Sequence, residues 1–389
     1  MGIGSSEPLS NKKEIPPEIL ELSNRGICSN CILRILGLSR TELSSYNLIE
    51  QPGNRCPACF GILQRVPEIK ESARVAIGSY SFYDIQIEVP NKISNCDKDI
   101  IDEFHCAQSC LIKNYLKAIL SMGLKRVRDG PILKINIDES SVNCELQWPN
   151  MYITGRYLKE SRRVSHSRFM PGVNPVSSVE GELISKLSGI IKCSDIKFQS
   201  AGREDMDVRM IGSGRPFCLV LLNPVPTKPN IITKNDFLSS YIDDIPKSIE
   251  CNYGVSAKDI ELTLDEPNME PKHSKQYQCI VSCSRSVTDE MLEKLNNTKD
   301  ILIQQRTPCR VSHRREMMDR EKKIISLSAS RICSNFFLLK LKTSTGTYIK
   351  EFVNSDFGRT QPSLGSILDQ SNPVQCQILQ LDVICVGEP

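Results

Sequence analysis

Residues 198–217 read FQSAGREDMDVRMIGSGRPF. The pattern is that of a strand, a polar loop and a second strand. Arg203, Glu204, Asp205 and Asp207 crowd the loop, and Arg209 and Arg215 follow. Gly202 stands just before the charges, where a residue without Cβ lets the backbone turn sharply. Such a loop can expose a carboxylate at a sheet edge. Charge density by itself favours nothing more than a salt-bridged turn, so the decision rests on what surrounds it.

Strand-like runs extend on both sides. Lys197–Ser200, Met206–Met210 and Phe217–Leu222 lie in or beside this stretch, and Tyr277–Val281, Ile301–Gln305, Lys323–Ser328, Phe336–Leu341 and Gln377–Val386 follow. Ser177–Ile190 carries helical spacing, with Ser177 or Ser178 as its N-cap. Residues 177–389 therefore predict one large unit, and the fold class is α+β around a central mixed or antiparallel sheet. Residues 66–170 predict a separate α/β unit. Ala76–Val89 alternates like strands, Asp102–Met122 has apolar residues at helical spacing (Phe104, Cys110, Leu111, Tyr115, Ile119), and Ile132–Ile137 returns to strand. PGVNPV at 171–176 reads as a linker, residues 1–16 as a flexible tail, and residues 17–65 hold two CxxC pairs. No internal repeat is apparent.

A chain of 389 residues predicts two or three domains. With 40% hydrophobic and 24% charged residues, disordered, collagen-like and low-complexity classes are excluded for its bulk. The longest clean apolar run, Phe217–Leu222, falls far short of the roughly 18 residues a membrane helix needs, so no membrane partner is expected. MGIGSSEPLSNKKE lacks the apolar core of a secretory signal. Gly2 with Ser6 fits a loose myristoylation pattern, but Glu7 stands where basic residues would help, and a frayed polar terminus is the plainer reading.

The net charge of +3 identifies no partner because the charge is local. Residues 151–172 carry five Arg or Lys against one Glu, and residues 303–324 carry seven against three acids. Such segments attract phosphates by releasing counterions, although solvated faces share the composition. Residues 241–270 hold eight acids and two lysines, as expected of a solvated excursion away from any RNA.

Seventeen cysteines accompany four histidines. Without a secretory signal these are expected to be reduced thiols inside the cell. Cys28-x2-Cys31 and Cys56-x2-Cys59 are separated by 24 residues. Each CxxC turn presents two thiolates at one vertex, and two turns close a tetrahedral Zn2+ site. An all-sulfur set leaves no position for water, so the zinc is expected to be structural, in a zinc ribbon over residues 17–65. A redox dithiol is the weaker reading, because both pairs have the same form and neither sits in a thioredoxin-like setting. His105, Cys106 and Cys110 form a fainter constellation, expected on a helix with the thiols packed as small apolar groups. No Cys/His/Asn set, GxGxxG or Walker A sequence appears, so thiol proteolysis and nucleotide-cofactor chemistry have no support.

AGREDMDVRMIGSGRPF at 201–217 resembles the motif II region of the archaeal and eukaryotic tRNA pseudouridine synthases of the Pus-ten type. QQRTPCRVSHRR at Gln304–Arg315 is similar to that family's Q-x-T-P-x-R-V-x-H-R-R segment. GTYIKEFVNSDFGRT at Gly346–Thr360 resembles its G-T-Y-I-K-E-F-V-x-x-D-F-G-R-T signature. ILQLDV at Ile378–Val383 is family-like, and Gly155–Tyr157 and Ser177–Glu180 match weaker elements. The resemblance spans residues 150–389 closely, plus the paired CxxC. Residues 66–170 resemble the family's THUMP-like RNA-binding domain less distinctively.

The resemblance implies a pseudouridine synthase catalytic domain over 177–389. It implies an isomerase that flips a tRNA uridine out of its stack, detaches uracil, rotates it and rejoins it through carbon. The expected target is uridine 54 and/or 55 of the TΨC arm. By motif match the essential aspartate is Asp205, with Asp207 structural. Arg203 would pair with a carboxylate or hold open the flipped nucleotide's gap. Tyr277 would stack on the base, Ile349 would pack its other face, Lys350 would hold Asp205 ionised, and Leu381 would add an apolar wall. Asp356, Arg359 and Thr360 are expected as structural supports. Arg156, Arg162, Arg163, Arg306, Arg310, Arg314 and Arg315 are expected on tRNA phosphates. No organic cofactor is implied, and the partner is tRNA or another structured RNA. A monomer in the nucleus and/or cytoplasm is expected. The alternative class is a non-catalytic or dual-role binder of structured RNA precursors. A metal-dependent nuclease would require clustered acids and Mg2+.

Overall fold

The computed structural model describes residues 14–46, 55–80, 84–122, 130–138, 140–168, 175–226, 234–270, 274–313 and 315–387. The chain divides into two compact units, Met1–Pro149 with Pro226–Ser240, and Asn150–Val225 with Tyr241–Pro389.

In the first unit, helices α1 (Pro17–Asn24), α2 (Ser29–Leu36) and α3 (Arg40–Ser44) precede a 3-10 turn, Ile62–Arg65, and α4 (Val66–Ile77). The described residues of 14–65 contain no strand, so the CxxC pairs ride on helical turns rather than on a β ribbon. Next come β1 (Asp84–Glu88), α5 (Asn91–Phe104), α6 (Ile112–Ser121), β2 (Ile132–Ile137) and β3 (Val142–Gln147). β1 runs parallel to β2, which pairs antiparallel with β3. Ile112, Leu116 and Leu120 recur every four residues and bury one stripe of α6. They share a core with Cys31, Cys56, Cys59, Ile69 and Ile135. In the same unit Trp148 stacks on Phe237 at 5.0 Å between ring centroids.

Two expectations here are corrected. The alternation over Ala76–Val89 begins on a helix: Ile69, Ala73 and Ile77 form one buried stripe that carries α4 through residue 77. The helix expected over Asp102–Met122 is two helices. His105 takes a left-handed φ of 45° and ends α5, and Cys106 and Cys110 lie in the connection. The Cys106 thiol donates to the Leu36 carbonyl at 3.2 Å, so His105, Cys106 and Cys110 do not share one helix.

The second unit contains β4 (Met151–Lys159), β5 (Val164–Ser165), β6 (Ser177–Ser178), α7 (Val179–Leu187), β7 (Asp195–Ser200) and β8 (Arg209–Leu222). After α8 (Lys234–Ile242), whose residues through Ser240 belong to the first unit, follow β9 (Ile249–Glu250), β10 (Val255–Thr263), β11 (Lys275–Cys283), α9 (Asp289–Asn297), β12 (Lys299–Arg306), β13 (Asp319–Cys333) and β14 (Phe336–Thr343). The chain closes with α10 (Ile349–Asn354), β15 (Thr360–Gln361), α11 (Leu364–Leu368) and β16 (Cys376–Val386). The main sheet runs β15-β12-β13-β14-β11-β16-β8-β4-β10-β9, with β7 paired to β8. Its neighbours are antiparallel except β16 and β8, whose two parallel rungs are Asp382 with Arg209 and Val383 with Met210.

Residues 151–159 were expected in the 66–170 unit. They belong to the main sheet because β4 pairs with β8 and β10. The acidic 241–270 segment is likewise less detached than expected. β10 buries Val255, Ala257, Ile260 and Leu262 and leaves its acids, Asp259 and Glu261, exposed. The N-cap of α7 is Ser178, whose hydroxyl accepts from Gly181 N at 3.0 Å. Of the expected linker, residues 171–174 lie outside the described residues, as does Gly2.

Candidate active site

The loop between β7 and β8 emerges where the two parallel rungs hold β8 against β16. Gly202 opens it with φ of +84°, and a Cβ there would sit 3.2 Å from both Arg215 Nη1 and Lys275 Nζ. Gly212 lets β8 approach β16 closely, since a Cβ there would collide with the Ile384 carbonyl oxygen at 2.3 Å. Arg209 and Arg162 both bind the buried Asp382 carboxylate, each at 2.6 Å, and lock this junction.

Within the loop, side chains alternate between support and cleft. Glu204 turns inward and is buried. It accepts from Arg215 Nε at 2.9 Å and from the Tyr157 hydroxyl at 3.0 and 2.9 Å. The Tyr157 hydroxyl is also 3.2 Å from His166 Nδ1, and His166 Nε2 is 3.1 Å from Ser200 Oγ. Burial pulls the His166 pKa down to about 4, so this imidazole is neutral at physiological pH. Lys159 lies under the loop, fully buried. Its ammonium donates to the carbonyls of Val164, Asp205 and Met206 at 3.0, 3.2 and 2.9 Å. Desolvation lowers its pKa to about 8 despite nearby carboxylates.

Asp205 turns outward into a cleft of about 650 Å³. Arg310 Nη1 approaches its Oδ2 at 3.1 Å and Lys350 Nζ at 3.3 Å. Lys350 is closer to Asp207, at 2.8 Å, and Arg310 Nε also binds the buried Glu351 at 2.6 Å. Two cations thus lie within ion-pairing range of the Asp205 side chain. Tyr277, Ile349, Leu381 and Val383 give the cleft apolar walls, and Arg203, Lys275 and Arg315 add positive charge to its lining. Burial pushes the Tyr277 phenol up to about 12, so its ring meets the cleft uncharged. The arrangement places one carboxyl side chain and an uncharged aromatic ring on the lining of a single pocket whose cations attract a polyanion.

Sequence reading expected Asp205, Arg203, Tyr277, Ile349, Lys350 and Leu381 together, and all six line this cleft. Three of the residues expected on phosphates already have partners within the protein. Arg156 spends its guanidinium on the carbonyls of Ser213, Gly214 and Val386 at 2.8, 2.9 and 2.7 Å. Arg162 is bonded to the carbonyls of Asp207 and Leu381 besides Asp382. Arg310 faces Asp205 and Glu351. Arg163, Arg306 and Arg315 are exposed, and Arg314 lies outside the described residues. Of the expected supports, Asp356 accepts from Cys309 N at 3.2 Å, Arg359 donates to the Thr307 carbonyl at 2.6 Å, and Thr360 is buried. Sequence reading missed Lys159, Glu204, Arg215 and Lys275. The one available signal was phase: Tyr157 and Lys159 share the inward face of β4.

In the first unit, the sulfurs of Cys28, Cys31, Cys56 and Cys59 all lie within 4.8 Å of one another. Cys28 and Cys59 Sγ are 3.8 Å apart, which matches the ~3.8 Å edge of a tetrahedron with Zn–S bonds of about 2.3 Å. Cys28 N approaches Cys56 Sγ at 3.4 Å, and Arg34 Nη2 reaches Cys31 Sγ at 3.4 Å while pairing with buried Asp97. Such donors stabilise thiolates, so this group can hold a metal ion.

Fold and site together define an α+β protein with an aspartate paired to two cations in an aromatic-lined cleft and a separate four-cysteine centre. A family model described as "Pus10, C-terminal" matches residues 152–387, which contain the whole cleft. The chain belongs to that family. Among curated relatives, the tRNA pseudouridine synthase Pus10 of Homo sapiens is 35% identical over 241 residues, covering 60% of this chain and 43% of the relative. The Methanocaldococcus jannaschii protein of the same name is 29% identical over 414 residues, covering 99% and 87%. This chain thus spans less than half of the human relative's length and most of the archaeal one. Among solved structures, a Cbf5-Nop10-Gar1 complex chain aligns with a TM-score of 0.29 at 14% identity, covering 53% of this chain and 44% of that one. A pseudouridylate synthase aligns with a TM-score of 0.21 at 13% identity, covering 64% and 70%.

Proposed function

We propose that this chain is a tRNA pseudouridine synthase acting on the TΨC arm, at uridine 54 and/or 55. The observation that carries the reading is Asp205, placed between Arg310 and Lys350 in an open cleft that Tyr277 also lines. The target uridine leaves its stack, at a cost of a few kcal/mol, and enters the cleft. Tyr277 stacks on the uracil, while Ile349 and Leu381 enclose it and exclude water. Asp205 assists cleavage of the N1–C1′ bond. The freed base rotates, C5 bonds to C1′, and the C5 proton is lost as N1 gains one. Composition is unchanged, so no oxidant, reductant or organic cofactor is required.

Arg163, Arg306 and Arg315 contact phosphates, and Arg203 sits at the entrance beside the flipped nucleotide. The first unit, with its THUMP-like segment, docks the tRNA. Structural zinc held by Cys28, Cys31, Cys56 and Cys59 stabilises that unit. The protein works as a monomer in the nucleus and/or cytoplasm.

Unmodified tRNA transcripts incubated with the chain and mapped with carbodiimide should gain pseudouridine in the TΨC arm. Asp205→Asn should abolish it while tRNA affinity persists. Conversion retained by that variant would sink the assignment. Binding without conversion by the wild type would favour the RNA-binder reading instead.

A further inference from the structure

One aromatic side chain has no place in the cleft chemistry. Phe357 is 95% exposed, the most of any large apolar residue among the described residues. It is also held in a conformation that bulky residues avoid. Ser355, Asp356, Phe357 and Gly358 have φ of 64°, 46°, 58° and 84°, four successive left-handed residues of which only the last is glycine. A solvent-exposed ring gains nothing from burial to offset that strain, so the surroundings must impose it. They do so visibly. Asp356 Oδ2 accepts from Cys309 N at 3.2 Å and pairs with Arg359 at 3.4 Å. Thr360 N returns to the Ser355 carbonyl at 3.0 Å. The turn is anchored from both sides, and only the ring projects.

Its position ties it to the site. The turn ends α10, whose first two residues are Ile349 and Lys350 of the cleft. Cys309, which bonds Asp356, directly precedes the Arg310 that holds Asp205. Arg306 and Arg315, both exposed, come from the same basic segment. Exposed Met317 lies beside Arg359, its sulfur 3.9 Å from Nη2. A rigid, solvent-facing ring two residues from Arg359, whose carbonyl accepts from Arg306 N at 3.0 Å, suits an unstacked base whose phosphate such cations attract.

We propose that Phe357 is an RNA-base stacking site outside the catalytic cleft, taking the face of one unpaired nucleobase in the bound RNA. The site rests on the RNA-binding part of the function proposed above but not on the chemistry at Asp205.

The test compares wild type, Phe357→Ala, Phe357→Gly and Phe357→Trp for binding of an unmodified tRNA transcript, with pseudouridine formation and thermal unfolding measured separately. Phe357→Ala and Phe357→Gly should bind about 5- to 150-fold more weakly, the range for losing one base stack. Phe357→Gly should unfold no lower than wild type, because glycine relieves the strain. Phe357→Trp should keep near wild-type affinity, and RNA should quench its emission beyond the change seen in wild type. Equal affinity of wild type and Phe357→Ala, a Phe357→Trp emission indifferent to RNA, or no RNA binding by the wild type would each overturn the proposal. Weaker binding by Phe357→Ala in a protein that forms no pseudouridine would uphold the stacking site and refute the isomerase reading.

Discussion

The Lys159 ammonium bonds the main-chain carbonyl of Asp205 at 3.2 Å, from beneath the loop that carries that residue's carboxylate into the cleft. One buried lysine thus fixes the backbone on which the proposed chemistry turns. Three carbonyls take its protons, and the ammonium has just three to give.

This lysine predicts opposite pH effects on activity and on stability. Its folded pKa is about 8, below the ordinary value of 10.5. Above pH 8 it loses a donor and the positive charge beneath Asp205, so conversion should fall along a limb centred near pH 8. Between pH 8 and 10.5 the unfolded chain holds the proton that the folded chain has released, so this residue's contribution to stability should rise with pH. Single-turnover rates and unfolding midpoints from pH 6.5 to 10 check both. A flat rate across pH 8 would show that the proton on Lys159 is irrelevant to the loop.

Arg310 predicts that stability and activity can be separated. Its guanidinium bridges Asp205 and Glu351, and Glu351 Oε2 is already buried with no hydrogen-bond partner among the described residues. Arg310→Met should cost about 1–3 kcal/mol, the penalty for leaving a buried acceptor unsatisfied, at the lower end because the arginine is partly exposed. The pair Arg310→Met with Glu351→Met should recover most of that stability, since no uncompensated charge remains, yet stay poorly active because Asp205 has lost a cation. Denaturant melts read the first quantity and pseudouridine formation the second. Recovery of activity in the double variant would show that Arg310 matters only through Glu351.

Legibility in the sequence followed the range of the interactions. The CxxC pairs could be read because each chelating turn is local, and the structure gathers all four sulfurs. Whether ribbon or helix carries them depends on burial across the unit, which spacing does not encode. Motifs grouped Asp205, Tyr277 and Lys350, which line one cleft in the structure, and alternation located β7, β11, β12 and β14. The partners of Arg156 and Arg162 were hidden, because composition cannot show a cation bonded to carbonyls 57 or 219 residues away. Lys159, Glu204 and Arg215 were passed over for a related reason. A buried charge is tolerable only with its partners, and here the partners come from β4, the loop and β8. The merging of β4 with the main sheet was hidden too, because pairing across 60 residues leaves no local trace.

The Glu204–Arg215 pair predicts a stability cliff beneath the loop. Both side chains are at most 2% exposed, so removing the arginine strands a carboxylate among Tyr157 and His166. Arg215→Met should destabilise by about 3–5 kcal/mol, as expected for breaking one side of a buried ion pair. Glu204→Gln with Arg215→Met, which removes both charges, should be milder. Urea unfolding of the second unit distinguishes them. A single variant that melts within 1 kcal/mol of wild type, an estimate below the whole buried-pair range, would mean that water or a new partner reaches Glu204.

The four-cysteine centre predicts a metal-dependent first unit and a less affected second one. Cys31, Cys56 and Cys59 belong to the same core as Ile32, Ile69 and Leu116, so an unliganded cluster would leave the helices α1, α2 and α4 without their central staple. The protein should copurify with about one zinc per chain, the stoichiometry of a closed four-sulfur site. Strong chelation or Cys31→Ser should release it and abolish protection of the first unit against proteolysis, because the binding free energy of such a site, on the order of 10 kcal/mol, is folding free energy. The second unit, which contains Asp205 and the main sheet, should keep its own unfolding transition. Mass spectrometry under native conditions, before and after chelation, measures the metal directly, and limited proteolysis follows the two units. Metal-free protein whose first unit resists protease as well as before would make the cysteines packing residues rather than ligands.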